Sequence, residues 1–246
     1  MDKPLVIDLN ADIGEGMPCE KELIQYITSC NIACGGHIGD DNSILETISL
    51  AKINNVKIGA HPSYPDKLNF GRKSIDISIV DLITSIDNQL SNFKNICDKA
   101  NVKWHHIKFH GALYNDLKVN KEKASALVKL LDEKYSGIVL YVPTNSAIKL
   151  AAEGIIPCHL EGFADRAYSK DSSLVPRSQP KAVLIETDEV VQQVLDMVLH
   201  KKVNTVDGGQ KSIDIQTLCL HGDTPTALEL AKAIVSHLKK NDIQIQ

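Results

Sequence analysis

Segments of strand character and segments of helix character alternate about seven times along this chain, an order that few architectures accept. Short apolar runs rich in β-branched residues fall at 5–9, 31–33, 56–60, 106–109, 138–142, 155–160 and 217–220. Between them, apolar residues recur every three or four positions, the period of a helix with one buried face. Over 78–100 the apolar set is Ile79, Leu82, Ile83, Ile86, Leu90, Phe93, Ile96 and Cys97. Ala124, Leu127, Val128 and Leu131 repeat the pattern, as do Val190, Val191, Val194, Leu195 and Val198. The last helix is expected to begin with Thr224 as its cap and Pro225 in its first position, and to bury Ala227, Ala231, Ile234, Val235 and Leu238. Such alternation builds a parallel sheet through right-handed crossovers, either as a closed barrel or as an open doubly wound sheet.

Polar residues at the strand ends favour closure. Asp8, Asn10 and Asp12 go with the first run, Asn31 and His37 with the second, His61 with the third and His110 with the fourth. Asn145 follows the fifth, Glu161, Asp165 and Arg166 the sixth, and His221 and Asp223 the seventh. A barrel gathers the C-terminal ends of all its strands on one rim, whereas an open sheet concentrates function at one switch point. The expected fold is therefore a single β/α barrel domain over 1–246. With a side-chain period of two, Asp8, Asn10 and Asp12 share a face opposite Ile7 and Leu9, and Lys108 goes with His110 opposite Ile107 and Phe109. The apolar face would pack on helices and the polar face would fill the upper barrel. The irregular stretch 162–180, rich in functional groups, reads as a lid or binding loop.

Composition narrows the class. Against 27 Lys and Arg stand 31 Asp and Glu, a formal net charge of -4, which offers no electrostatic footprint for nucleic acid. Aromatics at 4% are too few for a base-stacking platform. The six cysteines contain no C-x-x-C pair and read as reduced thiols in a cytoplasm. Met1-Asp2-Lys3-Pro4 leads into Leu5-Val6-Ile7 without the form of a signal peptide, and no run nears the roughly 18 apolar residues of a membrane span.

Several constellations carry chemistry. The segment from Asp8 through Asn10 and Asp12 to Glu15 is oxygen-rich and could bind a divalent cation or supply a general base, unless Asp12 or Glu15 caps the next helix. His61 and His110 sit beside small residues that would let a ligand approach the backbone. Asp12, His61 and His110 are also candidate metal ligands, although no H-x-H or H-E-x-x-H spacing is present. Cys34 and His37 lie in a Gly-rich turn whose N–H groups could hold an anion; Cys34 is either a nucleophile or a buried thiol. Arg72, Arg166 and Arg177 are candidate anion clamps. Gly208-Gly209-Gln210-Lys211-Ser212 lacks the spacing of a phosphate loop and reads as a turn.

The strings Asp8-Leu9-Asn10-Ala11-Asp12-Ile13-Gly14-Glu15, Asn31-Ile32-Ala33-Cys34-Gly35-Gly36-His37, Gly59-Ala60-His61-Pro62-Ser63-Tyr64-Pro65-Asp66 and Lys108-Phe109-His110-Gly111-Ala112-Leu113-Tyr114 strongly resemble the LamB/YcsF family. Phe163-Ala164-Asp165-Arg166-Ala167-Tyr168, Leu174-Val175-Pro176-Arg177-Ser178 and His221-Gly222-Asp223-Thr224-Pro225 match it too. Departures are Ile38 where Ala is frequent, Phe109 where Pro is common and Lys181 where Gly is common. The resemblance implies a seven-stranded parallel β/α barrel, TIM-like and related to sugar deacetylases. It also implies ATP-dependent opening of 5-oxo-L-proline to L-glutamate, shared with two further 5-oxoprolinase subunits, B and C. ATP would be handled by those partners, in keeping with the absent nucleotide motif.

On that resemblance, Asp12, Glu15, His61 and His110 are the expected catalytic groups. Asp8, Asn10, Asn31, His37, Lys108, Arg166, His221 and Asp223 are expected to bind substrate. Two alternatives stay open: a metal-dependent amidase or carbohydrate deacetylase, and a non-catalytic subunit that presents substrate to a partner.

Overall fold

A computed structural model describes residues 4–246; Met1–Lys3, part of the segment read above as no signal peptide, lie outside the described residues. The strands in chain order are β1 Val6–Ile13, β2 Ser29–Ala33, β3 Lys57–His61, β4 His106–Lys108, β5 Val139–Pro143, β6 Cys158–Phe163, β7 Lys202–Asn204, β8 Gln210–Ser212, β9 Thr217–Cys219 and β10 Gln244–Ile245. The α-helices are α1 Glu20–Leu23, α2 Asp41–Ile53, α3 Ile79–Lys99, α4 Gly111–Val119, α5 Lys121–Lys134, α6 Ala147–Ala152, α7 Thr187–His200 and α8 Ala227–Lys240.

Strands β1 to β6 pair in order, β6 pairs with β9, and β9 returns to β1, so seven parallel strands close into the expected barrel. The closing register sets Asp8 against Thr217 and Asn10 against Cys219. The short β10 adds to the outer start of β1 through Val6 and Ile7. Strands β7 and β8 form an antiparallel hairpin whose turn contains Gly208 and Gly209, as the sequence suggests.

Helices lie outside this wall because each has one apolar face to bury. In α3 that face is Leu82, Ile86, Leu90, Phe93 and Cys97, and the helix starts where the Ser78 hydroxyl accepts from the Asp81 N–H. Helix α2 starts with a reciprocal Asp40–Ser43 capping box, which satisfies the N–H groups of those two residues; in the Gly-rich turn before it, the Gly35 N–H donates to the Ile38 carbonyl. Neither Asp12 nor Glu15 caps α1. Glu20 instead folds its carboxylate back onto the N–H groups of Glu15 and Met17.

Two local expectations change. Helix α8 begins at Ala227 after Thr226; Thr224 and Pro225 form a preceding turn in which the Thr224 carbonyl accepts from Ala227 N–H. The fixed φ of proline suits that turn as well as a first helical turn. The sixth strand runs from Cys158 to Phe163, later than expected, because residues after α6 are consumed by a turn in which Ile156 N–H returns to Ala152. Lys181 adopts φ 61°, so the glycine common in the family pattern answers a backbone requirement at that position.

Inside the barrel the side chains are polar and stacked in levels. Asp8 lies lowest, accepting from the hydroxyls of Thr28 (2.9 Å), Ser29 (2.7 Å) and Thr217 (2.6 Å). Above it, Asn10 donates to Glu161 Oε1 (2.9 Å) and Thr217, while Asn31 donates to Asn10 Oδ1 and Asp12 Oδ1 (both 2.8 Å). His106 Nε2 donates to Asn31 Oδ1 at 2.8 Å. Gly59 makes room for that ring: a Cβ there would overlap the His106 imidazole. This small residue near His61 thus serves internal packing, not ligand approach to the backbone. Buried polar groups in such a network are stable only while each finds a partner.

Candidate active site

Three strands supply the floor of a cavity of about 530 Å³ at the C-terminal mouth of the barrel. Asp12 comes from β1 and Glu15 from the turn after it, which Gly14 enters at φ 79°. His61 ends β3, Lys108 ends β4, and His110 follows two residues on. All five line the cavity.

Backbone carbonyls set the tautomers of two of these rings. His61 Nδ1 lies 2.7 Å from the Lys108 carbonyl, and His110 Nε2 lies 2.9 Å from the Phe70 carbonyl. A carbonyl only accepts, so both nitrogens carry protons. The other two nitrogens, His61 Nε2 and His110 Nδ1, face each other at 3.0 Å. Two neutral rings would oppose their lone pairs there, so a shared proton or a cation belongs between them. Asp12 Oδ2 lies 3.4 Å from His61 Nε2, and Glu15 Oε1 lies 3.5 Å from His110 Nδ1, so negative charge is at hand to balance it. His37 donates from Nε2 to Glu15 Oε1 at 2.9 Å and stacks on His110 with ring centres 3.7 Å apart. Burial, then the neighbouring His61 and His37, hold His110 well below the usual histidine range.

Lys108 is the central cation. Its Nζ donates to Asp12 Oδ1 (2.9 Å) and Cys219 Sγ (3.0 Å) and lies 3.2 Å from Glu161 Oε1. Burial alone would strip its proton, but Asp12, Cys219 and Glu161 raise its pKa well above the ordinary value. Burial likewise opposes ionisation of Asp12, yet His61 and Lys108 hold that carboxyl well below its usual range. Burial pushes the Cys219 thiol up, so it serves as a neutral acceptor.

Ligand atoms of Asp12, Glu15, His61 and His110 all lie within 4.8 Å of one another. Two carboxylates and two imidazoles, each imidazole braced by a carbonyl on its far nitrogen, suit a divalent cation. Asp12, Cys219 and His221 form a second such group, but Cys219 is a poorer donor because its thiol is held protonated.

At the mouth, Asp223 is gripped from two loops, by Arg72 (2.7 Å) and by Arg177 (2.6 Å). Two guanidinium groups on one carboxylate leave positive charge for an incoming anion. Arg166 lines the cavity, but its Nε and Nη2 donate to the carbonyls of Ala182 and Val175 and so brace the loop that follows β6. Burial, then the Arg177 charge, lower its pKa to about 10. His221 also lines the cavity and holds Asp165 through Nδ1 at 2.9 Å.

Of the remaining candidates, Asp8, Asn10 and Asn31 lie beneath the floor with their oxygens engaged, and His37 stands behind His110; none lines the cavity. Cys34 is a buried thiol: its sulfur accepts from the His61 N–H and burial raises its pKa far above the ordinary range, so the nucleophile reading fails. Two cavity residues, Tyr114 and Glu161, are no part of the expected catalytic or binding set, although Glu161 stands out in the sequence as a strand-end carboxylate. Cys219 carries only a faint sequence signal, sharing the inward face of its strand with Thr217.

The LamB/YcsF family pattern matches residues 7–246. The A subunit of 5-oxoprolinase from Haemophilus influenzae (strain PittEE) is 41% identical over 240 residues, covering 97% of this chain and 98% of that protein. Its counterpart from Pyrococcus abyssi (strain GE5 / Orsay) is 38% identical over 241 residues, covering 95% and 92%. Among solved structures, a lactam utilization protein from Thermus thermophilus superposes with a TM-score of 0.90 at 32% identity, covering 98% of this chain and 99% of that one.

Proposed function

Because this chain belongs to the LamB/YcsF family, we propose that it is the lactam-opening subunit of an ATP-dependent 5-oxoprolinase. It would act in the cytoplasm, as a single barrel domain over 1–246, with two partner subunits, B and C. The relatives' names, which designate one lettered subunit of 5-oxoprolinase, support an assembly, and the T. thermophilus structure named for lactam utilization supports the substrate class. The observation that carries the reading is the buried acid–base cluster of Asp12, Glu15, His61 and His110 beside the Lys108 ammonium on one cavity floor.

An unstrained five-membered lactam is a poor electrophile at neutral pH. In this scheme the partners use ATP to phosphorylate its amide oxygen, and the barrel takes up the product. Water adds at the activated carbon, the ring C–N bond breaks as nitrogen gains a proton, and the resulting acyl phosphate loses phosphate to a second water. Asp12 or Glu15 takes the proton of the attacking water, and the proton held between His61 and His110 passes to the departing ring nitrogen. Lys108 stabilises charge that develops on oxygen. The arginine pair at Asp223 receives the carboxylate or phosphoryl end. Asp8, Asn10, Asn31 and His37 act one layer out, orienting Asp12, Glu15 and His110.

The cation-compatible cluster supports a second reading, a metal-dependent amidase or deacetylase in which Asp12, Glu15, His61 and His110 hold the ion. Such an ion would polarise a carbonyl and acidify water.

The deciding assay measures glutamate formed from 5-oxoproline by the chain alone and by the chain with its partners, each with and without ATP. Turnover that requires chain, partners and ATP together is the expected result. Turnover by the chain alone without ATP would sink the coupled scheme, and its loss on chelation would favour the metal-dependent reading.

A further inference from the structure

The cavity wall contains two buried polar atoms with no hydrogen-bond partner among the described residues, Glu161 Oε2 and Tyr114 Oη. Glu161 is 2% exposed and Tyr114 6%. The other carboxylate oxygen, Glu161 Oε1, is already engaged by Asn10 Nδ2 and lies 3.2 Å from Lys108 Nζ. Oε2 is therefore an acceptor left without a donor of good geometry. Burial, then the charge of Glu161 and a hydrogen bond to it, raise the Tyr114 phenol well above the ordinary range, so it remains a donor within reach of Glu161. The acceptor and the donor stand side by side with no bond of good geometry between them, and poor pairing in a buried wall is costly.

We propose that Glu161 and Tyr114 form the recognition couple for a cis amide: Glu161 Oε2 accepts the ring N–H of a lactam, and Tyr114 Oη–H donates to the oxygen on the adjacent carbon. A five-membered ring holds N–H and C=O on the same side, so both bonds form at once. An open-chain secondary amide is trans and presents them on opposite sides. The couple thus selects lactams over ordinary peptide bonds, and it would equally hold a protonated ring nitrogen after activation. The inference rests on the lactam reading above and adds to it the two specificity-determining residues.

The test is calorimetric binding of 5-oxoproline and of its ring-oxygen isostere, the lactone acid, to the full chain and to Glu161→Gln and Tyr114→Phe. The wild-type chain should prefer the lactam by about 10–100-fold, the range for a hydrogen bond to a charged group. In Glu161→Gln, Asn10 and Lys108 both require the amide oxygen on their side, which forces the amide NH₂ into the place of Oε2. That donor opposes a ring N–H and welcomes a ring oxygen, so the preference should invert. Tyr114→Phe should weaken both ligands to a similar degree and leave their ratio unchanged. A purely structural role for Glu161 would not reverse the order. An unchanged lactam preference in Glu161→Gln overturns the proposal, as does a wild-type chain that binds no lactam at millimolar concentration. A Tyr114→Phe variant that loses only stability also overturns it, by reducing the phenol to an internal partner of Glu161. The lactam reading itself is judged separately, by turnover with partners and ATP.

Discussion

Replacing Lys108 by Met keeps most of the side-chain length but removes the positive charge bonded to Asp12 Oδ1, 2.9 Å away, and placed 3.2 Å from Glu161 Oε1. Both carboxylates are buried, Asp12 at 7% and Glu161 at 2% exposure. Asn31 and Asn10 would still donate to them, but neutral amides do not cancel their charge. Removing one member of a buried ionic network typically costs about 3–5 kcal/mol, because the remaining charge is left uncompensated. Against a total stability of roughly 5–15 kcal/mol, that is a large fraction. The sign of the pH dependence follows. Without the ammonium, His61 is left to oppose burial, so the folded-state pKa of Asp12 rises from its depressed value and less of the stability supplied by that carboxylate remains for acid to remove. The gap between the variant and the wild-type chain should therefore narrow as pH falls below about 5. Urea unfolding followed by circular dichroism at several pH values measures this. A second substitution, Glu161→Gln, should restore part of the loss at neutral pH, since one stranded charge disappears. A Lys108→Met loss below about 1 kcal/mol at pH 7, the scale of an exposed pair, would refute the description of Lys108 as the charge that makes this floor tolerable.

His61→Ala and His110→Ala, folded and mixed with the partner subunits, should each lower glutamate formation by about 10²–10⁴-fold, the usual contribution of a positioned acid–base group; full activity in both would remove them from the proton-transfer role. Burial, then the nearby His105 and Lys108 charges, hold His106 well below the ordinary histidine range. The unfolded chain therefore takes up a proton at acid pH that folded His106 refuses, and stability should fall as pH drops below about 6.5, by up to about 1.4 kcal/mol per unit for this one group. His106→Gln, followed by thermal unfolding between pH 7 and pH 5, should show a shallower slope. Gly59→Ala forces a methyl group into the His106 ring and should destabilise the chain by about 1–3 kcal/mol in the same assay, with a neutral outcome contradicting the packing of that ring against β3.

Local pattern was enough to read the alternation of elements, because burial on one face leaves a period of two or three to four in the residues themselves. Asp8, Asn10 and Asp12 could be assigned to one face of their strand on the same ground. What local pattern does not contain is depth along the barrel axis. Asp8 and Asp12 are alike in sequence, both inward carboxylates on β1, but the closing register sets Asp8 against Thr217, low in the barrel, and leaves Asp12 at the level of His61 and Lys108. Arg166 and Arg177 are equally plausible anion clamps by residue type. Their loop turns one guanidinium onto its own carbonyls and the other onto Asp223.

The chain's own order of residues thus determined the main alternation of strands and helices, that seven parallel strands can close, and which residue types are presented on the inward face. Only the tertiary structure decided which of those groups meet. Asn10 and Glu161 are 151 residues apart and Lys108 and Cys219 are 111 apart, yet each pair is in hydrogen-bond contact. Such contacts depend on the stagger of strands around the closed barrel, which is set by all seven pairings at once, so no single segment of sequence encodes it.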